Sequence, residues 1–319
     1  LYKFLREMEF NRLLSSAISL YGEPEFSKND LNNKPKKEQL NINKKEYYLI
    51  QSENDIDEWI KEAEEVGELA VDTETNSLNP HQADLVGISL STKIGKACYI
   101  PIGHKNKNCL KKTIVLKKLK PLFEDKSVKK IGQNIKFDFI VLHNHGIKIS
   151  AMEDTMLMSY VLDAGKNRHN MDALSKIHLN YKTISFKELV GSGKKEINFS
   201  EVELNKAMEY AAEDADITYR LYKIFKKNLK LEKLINIYEI FEKPLIEILA
   251  FMEIEGIKVD SKFLEKLSIK FEKKIKDLEK KIYKISKKEF NIASPKQLGE
   301  IIYNELKIAV LKKTKKGSF

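Results

Sequence analysis

After residue 46 the chain runs in short apolar blocks of strand length: "YYLI", "LAVDTE", "LVGISLS" and "ACYIPI". Turn-like breaks, "NPHQAD" and "TKIGK", separate the later ones, and the pattern predicts an antiparallel meander. Between the first two blocks lies "SENDIDEWIKEAEEV", whose apolar positions recur at helical spacing. Next comes "VKKIG", a predicted strand. It is followed by "QNIKFDFIVLHNHGI", where Ile135, Phe139 and Leu142 fall on one helical face. From about Asp154 to Tyr222 the pattern is helical, interrupted at "DAGKNRHN" and "GSGKKE". A mixed sheet covered by helices, an α/β fold, fits this order.

The ends differ in character. Residues 1–22 carry apolar residues at helical spacing, and the polar Asn-, Lys- and Pro-rich run after them reads as a linker. Beyond about residue 229 the chain is all-helical. "LINIYEIFEKPLIEILAFMEIEGIKVD" predicts a long helix ending at Gly256, and "SKFLEKLSIKFEKKIKDLEKKIYKISKKEF" predicts an amphipathic Lys/Glu helix. The expected organisation is a helical tail and linker over 1–45, an α/β domain over 46–228, and a helical segment over 229–319. There is no internal repeat.

Composition narrows the class. Of 319 residues, 42% are apolar and 33% charged, as in a soluble globular protein. No apolar run approaches the roughly 20 residues needed to cross a bilayer, and the N-terminus lacks a signal-peptide pattern. A cytoplasmic, membrane-free and monomeric protein is expected. The numbering starts at Leu1, which reads as a piece of something longer. Cys98 and Cys109 are too few for a disulfide framework and have no zinc spacing, so both read as structurally incidental. The net charge of +10 suits a polyanionic partner. The surplus is mostly Lys, however, in a chain also rich in Ile and Asn, as an A/T-rich coding sequence yields.

The chemistry begins where "LAVDTE" breaks its own pattern. Asp72 and Glu74 end an apolar strand two residues apart, so they point to one face and repel each other unless a cation intervenes. Asp138 lies on the helix after "VKKIGQN". Asp214 lies in "EYAAEDADITYRLY", with Tyr210 one helical turn before it on the same face, whereas Glu213 and Asp216 point elsewhere. Four such carboxylates can hold two divalent cations through oxygen, which suits Mg²⁺ or Mn²⁺. Two metals about 3.5–4 Å apart clamp a phosphodiester and activate water. Each element alone is weak: a strand-end acid pair is usually solvated, and "AAEDAD" usually forms a charged helix face. It is the ordered set, Asp-x-Glu, Asn-x-x-x-Asp and Tyr-x-x-x-Asp on successive elements, that points to a site.

"VDTETNSL", "GQNIKFD" and "YAAEDADIT" resemble the three exonuclease motifs of the proofreading domain in bacterial DNA polymerase I (family A). "EDTMLMSYVLDAGKNRHNMDAL" and "KTISFKELVGSGKKEINF" look like the intervening segments. "FEKPLIEILAFMEIEGIKVD" and "FNIASPKQLGEIIYNELKI" look like the start of the polymerase region and its thumb. Residues 1–22 resemble the tail that follows the family's 5′ nuclease domain. The resemblance implies a ribonuclease H-like fold and 3′→5′ exonuclease activity on single-stranded or frayed DNA 3′ ends. It makes Asp72, Glu74, Asp138 and Asp214 ligands of two Mg²⁺ or Mn²⁺ ions, and Tyr210 the residue that positions water. It also places Leu78 and Phe199 as wedges against the terminal bases, and Gln133, Asn134 and Arg168 as polar contacts to the 3′ nucleotides. Phe137 stands where relatives often carry Tyr. Asp154 is expected to be a helix N-cap and His169 receives no role. Nothing resembles the polymerase palm or fingers, so this chain is expected not to polymerise. The rivals are a ribonuclease D-like exoribonuclease, against which the thumb-like segment argues, and an inactive DNA-binding module, against which the intact acids argue. A helical scaffold built on 229–319 rests on Lys/Glu periodicity alone.

Overall fold

Asn11–Tyr21 and Tyr2–Glu7 form two short helices, α2 and α1, at the start of the chain. The computed structural model describes residues 1–8, 10–22, 45–105, 109–193 and 196–308. The predicted linker therefore lies outside the described residues except for Lys45, as do Lys194 and Lys195 and the end of the helical C-terminal segment.

Strand β1 (Glu46–Leu49) leads into α3 (Glu53–Val66), capped at its start by the Ser52 hydroxyl, which accepts from the Asp55 amide. Gly67, at φ 71°, ends the helix in the left-handed conformation that only glycine adopts freely, and turns the chain into β2 (Glu68–Thr75). Strands β3 (Leu85–Lys93) and β4 (Lys96–Pro101) complete an antiparallel meander with β2. Helix α4 (Lys112–Glu124), β5 (Lys129–Gly132), α5 (Ile135–Asn144) and β6 (Met152–Asp154) follow. The sheet order is β1-β4-β3-β2-β5-β6, with β1 parallel to β4, and β5 parallel to both β2 and β6. The expected meander thus holds for β2–β4 but excludes β1. With α3 between β1 and β2, β1 joins the far edge through a crossover, the connection that parallel pairing requires.

Helices cover both faces. Leu69 and Val71 of β2 point into a core shared with α3, α4 and α5, while Ala70 between them packs on the other side. That second layer is built by α6 (Thr155–Asp163), α7 (Met171–Leu174), α8 (Phe186–Val190) and the 28-residue α9 (Leu204–Leu231). Ala207, Ala211, Ala212 and Ala215 give α9 a buried small-residue face that lets it lie close on the sheet. This is the ribonuclease H-like architecture.

A helical turn, α10 (Ile235–Ile237), leads through a π-helical turn into α11 (Lys243–Glu255). Ile246 and Ala250 enter the main core, and the Phe251 ring meets Phe139 of α5 edge-on at 5.5 Å. The first compact unit accordingly runs to Glu255, past the limit expected at residue 228. The second, Gly256–Phe319, is helical in its described part: α12 (Ser261–Ser286), capped by Asp260, and α13 (Pro295–Gly299), capped by Ser294.

Candidate active site

Strand alternation aims Asp72 and Glu74 to the same side as Ala70, toward α9, and Thr73 to the opposite side, toward α5. A register shift between Glu74 and Thr75 ends regular pairing with β3 there, as β-bulges do beside active sites. Opposite Glu74, Gly87 leaves room for the Tyr99 ring; a Cβ at residue 87 would stand 2.1 Å from its hydroxyl oxygen.

Single oxygens of Asp72, Glu74 and Asp214 lie within 4.8 Å of one another. Asp214 sits one turn along α9 from Tyr210, whose hydroxyl lies beside its carboxylate. Asp138 comes from the first turn of α5, where the helix dipole favours an anion. Its Oδ1 accepts from the Thr73 amide at 2.9 Å and the Thr73 hydroxyl at 2.5 Å, so β2 holds the carboxylate that α5 brings. The cleft, of about 510 Å³, is lined by all four acids and Tyr210.

The electrostatics are those of an uncompensated cluster. Burial pushes Asp72 up to about 6. Glu74, Asp138 and Asp214 stand well above the carboxylate range, first through burial and then through the charge on Asp72. Glu74 Oε1 is buried without a hydrogen-bond partner, and no Lys or Arg among the described residues lines the cleft. Orphaned carboxylate oxygen and an all-oxygen donor set fit a hard divalent cation. Burial and the surrounding acids raise the Tyr210 phenol, so it stays protonated at neutral pH and acts as a donor rather than a base.

The other residues named from the sequence are distributed unevenly. Leu78 lines the cleft at 90% exposure. Phe199 also borders it but is 2% exposed, in core contact with Val86, Tyr99 and Val202. Its ring stacks on Phe186, which is 40% exposed and, like Ile197, presents the apolar surface that Phe199 was expected to supply. Gln133 and Asn134 reach the cleft, but Gln133 already donates to the His169 carbonyl (2.8 Å) and accepts from the Thr155 hydroxyl (2.5 Å). Phe137 is half-buried on the cleft wall, and Arg168 is exposed on the loop after α6, outside the lining. His169, given no role by the sequence, bonds through Nδ1 to the Ser159 hydroxyl at 2.9 Å. Asp154 caps α6 as expected and also accepts the amides of Asn134 and Ile135, tying the start of α5 to that of α6. Thr73, Phe186 and Ile197 were not read as site residues. All three nevertheless fall in segments that carry the family resemblance, Thr73 in "VDTETNSL" and Phe186 and Ile197 in "KTISFKELVGSGKKEINF".

Residues 47–230, more than half of the chain, match the model of a family described as 3′-5′ exonuclease, and residues 261–319 match that of DNA polymerase family A. The chain belongs to the 3′-5′ exonuclease family. It is 40% identical to DNA polymerase I of Rhizobium leguminosarum over 86% of this chain and 29% of that protein. To DNA polymerase I of Pseudomonas aeruginosa it is 38% identical over 85% of this chain and 31% of that protein. The exonuclease chain therefore spans under a third of the length of these relatives. Among solved structures it is similar to the POL domain of Pol1 from M. smegmatis, in complex with DNA primer-template and dNTP. That likeness has a TM-score of 0.69 at 21% identity and covers 86% of this chain and 43% of that one. Brucella melitensis NrnC with bound Mg²⁺ aligns at a TM-score of 0.50 and 24% identity over 68% and 98%. Both likenesses speak to the exonuclease fold alone. No helix among the described residues is long and apolar enough to cross a membrane.

Proposed function

We propose that the chain hydrolyses single-stranded or frayed DNA from the 3′ end, as the proofreading exonuclease of a cytoplasmic DNA polymerase I, and does so as a monomer. In this reading residues 46–228 carry the exonuclease motifs, 1–45 are the tail of an upstream region, and 229–319 are the start of a polymerase thumb whose first helices, through α11, complete the exonuclease core. One observation carries it: Asp72, Glu74 and Asp214 converge at the end of a buried strand with an unpaired Glu74 oxygen and Tyr210 beside them.

Asp72, Glu74, Asp138 and Asp214 would hold two Mg²⁺ or Mn²⁺ ions. Bound there, the ions would supply charge to polarise the phosphodiester and lower the pKa of the attacking water. Thr73 fixes the Asp138 carboxylate so that it enters the site preorganised. Tyr210, neutral and beside Asp214, orients the water rather than deprotonating it. Leu78, with Phe186 in the place expected for Phe199, offers an apolar surface on which terminal bases stack, an interaction worth about 1–3 kcal/mol per base and tolerant of sequence. Gln133, Asn134, Phe137 and, from the rim, Arg168 complete the nucleotide contacts.

The double variant Asp72→Ala, Glu74→Ala is expected to lose at least about a thousandfold in Mg²⁺-dependent degradation of a single-stranded DNA oligonucleotide. Degradation at the wild-type rate sinks the assignment. An RNA oligonucleotide of equal sequence, run in parallel, identifies an exoribonuclease if it is cleaved faster.

A further inference from the structure

Glu213 precedes Asp214 on α9 but turns away from the cleft, and its side chain is 1% exposed. A carboxylate in that position is costly unless every oxygen is engaged. Glu213 Oε1 accepts from the Tyr181 hydroxyl at 2.5 Å and the Lys45 ammonium at 2.8 Å; Oε2 accepts from the Ile184 amide at 2.7 Å. Lys45 also donates to the Tyr181 hydroxyl and lies over its ring.

Two of these donors, Tyr181 and Ile184, lie in the coil at residues 180–185, and the third, Lys45, directly precedes β1. This coil has no helix or strand ladder; besides Glu213 it is held by the Tyr181 amide on the Ser175 carbonyl and by the Thr183 hydroxyl on Asp172. The coil leads directly into α8, where the Phe186 ring stands edge-on to Tyr210 at 6.1 Å and parallel to Phe199 at 6.3 Å. Tyr210 in turn lines the cleft beside Asp214, one turn away on α9. One helix therefore supplies both a carboxylate of the cleft and the anchor of the wall that packs on Tyr210.

We propose that Glu213 is a positioning residue: by clamping Tyr181 and Ile184 to α9 it holds Phe186 against Tyr210, and so fixes the phenol hydroxyl over Asp214 and the apolar wall over the substrate. The inference rests on the hydrolytic reading above and adds a residue outside the cleft to it. Loss of the clamp shifts Phe186 and Tyr210 while leaving Asp72, Glu74 and Asp138 in place.

The test uses the full chain with Glu213→Gln, and with Tyr181→Phe as a milder variant that removes the two bonds of one hydroxyl and leaves Glu213 paired with Lys45. Hydrogen exchange over 181–190 is expected to accelerate in both, with α9 amides still protected. With Glu213→Gln, kcat on single-stranded DNA at saturating Mg²⁺ should fall about tenfold, the scale of a small misplacement of a catalytic group. Mn²⁺ affinity should change by less than about twofold, and in a Tyr210→Phe background Glu213→Gln should lower kcat by less than about twofold, because contacting sites are non-additive. Equal losses in both backgrounds overturn the proposal, as does unchanged exchange over 181–190. If wild-type chain hydrolyses no nucleic acid, the function proposed above fails instead, and exchange over 181–190 decides the clamp.

Discussion

Asp72 governs the charge balance of the cleft, since its charge is among the causes that raise Glu74, Asp138 and Asp214. Its own carboxyl is raised from 3.8 to about 6 by burial. Between those values the fold keeps a proton that the unfolded chain has released. Its contribution to stability is therefore full below about pH 4 and declines as pH rises through 6. Metal-free protein is thus destabilised at neutral pH by its own site. Asp72→Asn should raise the Tm of EDTA-treated protein at pH 7.5 by an amount equivalent to roughly 2–3 kcal/mol, and should have no such effect at pH 4. A gain of the same size at both pH values would count against an ionised, half-buried Asp72. At this scale the acids were legible because strand and helix periodicities dictate which side chains share a face. Thr73 was not: its task depends on Asp138 arriving from a helix 65 positions away. Phe186 and Phe199 are chemically identical, and only burial separates the exposed ring from the one behind it.

The starts of α5 and α6 depend on one another through Asp154. Its carboxylate takes four amides: Met156 and Leu157 on α6, Ile135 at the head of α5, and Asn134 just before it. Asn134 adopts φ 65°, a conformation that needs such support in a non-glycine residue. Asp154→Ala removes the acceptor for both helix starts. It should cost about 2–4 kcal/mol in urea unfolding, roughly twice the loss of a single N-cap. Because Asp138 lies in the first turn of α5, the rate on single-stranded DNA should fall as well, although residue 154 touches no substrate. A stability loss without a rate loss would mean that Thr73 alone positions Asp138. From the sequence Asp154 reads as an N-cap, since the cap pattern is local; its hold on α5 requires β5 and β6 to be neighbours. The same limit explains β1. Apolar blocks identify strands, but partner choice is set by the crossover through α3, which block spacing does not encode.

The first compact unit carries a continuous core and the whole cleft within Leu1–Glu255. The change in hydrophobic pattern near residue 229 suggested a boundary there, but the helix that follows packs inward. Tyr238 is fully buried, its hydroxyl accepts from the Asp154 amide at 2.9 Å, and Ile246 and Ala250 of α11 close the core beside α5. Apolar periodicity reports that a helix has a buried face, not which unit buries it. In the second unit, by contrast, few described side chains are buried, Ile301 and Ser286 among them. Two truncations separate the alternatives. A chain ending at Glu255 should retain cooperative unfolding and the hydrolytic rate of the full chain. One ending at Asn228 loses Tyr238 and α11, each a core deletion on the order of 3–5 kcal/mol. Its Tm should fall by roughly 10 °C or more, at about 2–4 °C per kcal/mol for a unit of this size, and the rate should fall with it as Asp154 loses its support. Equal melting temperatures for the two truncations would place the end of the exonuclease unit at α9 and make α10 and α11 an appendage.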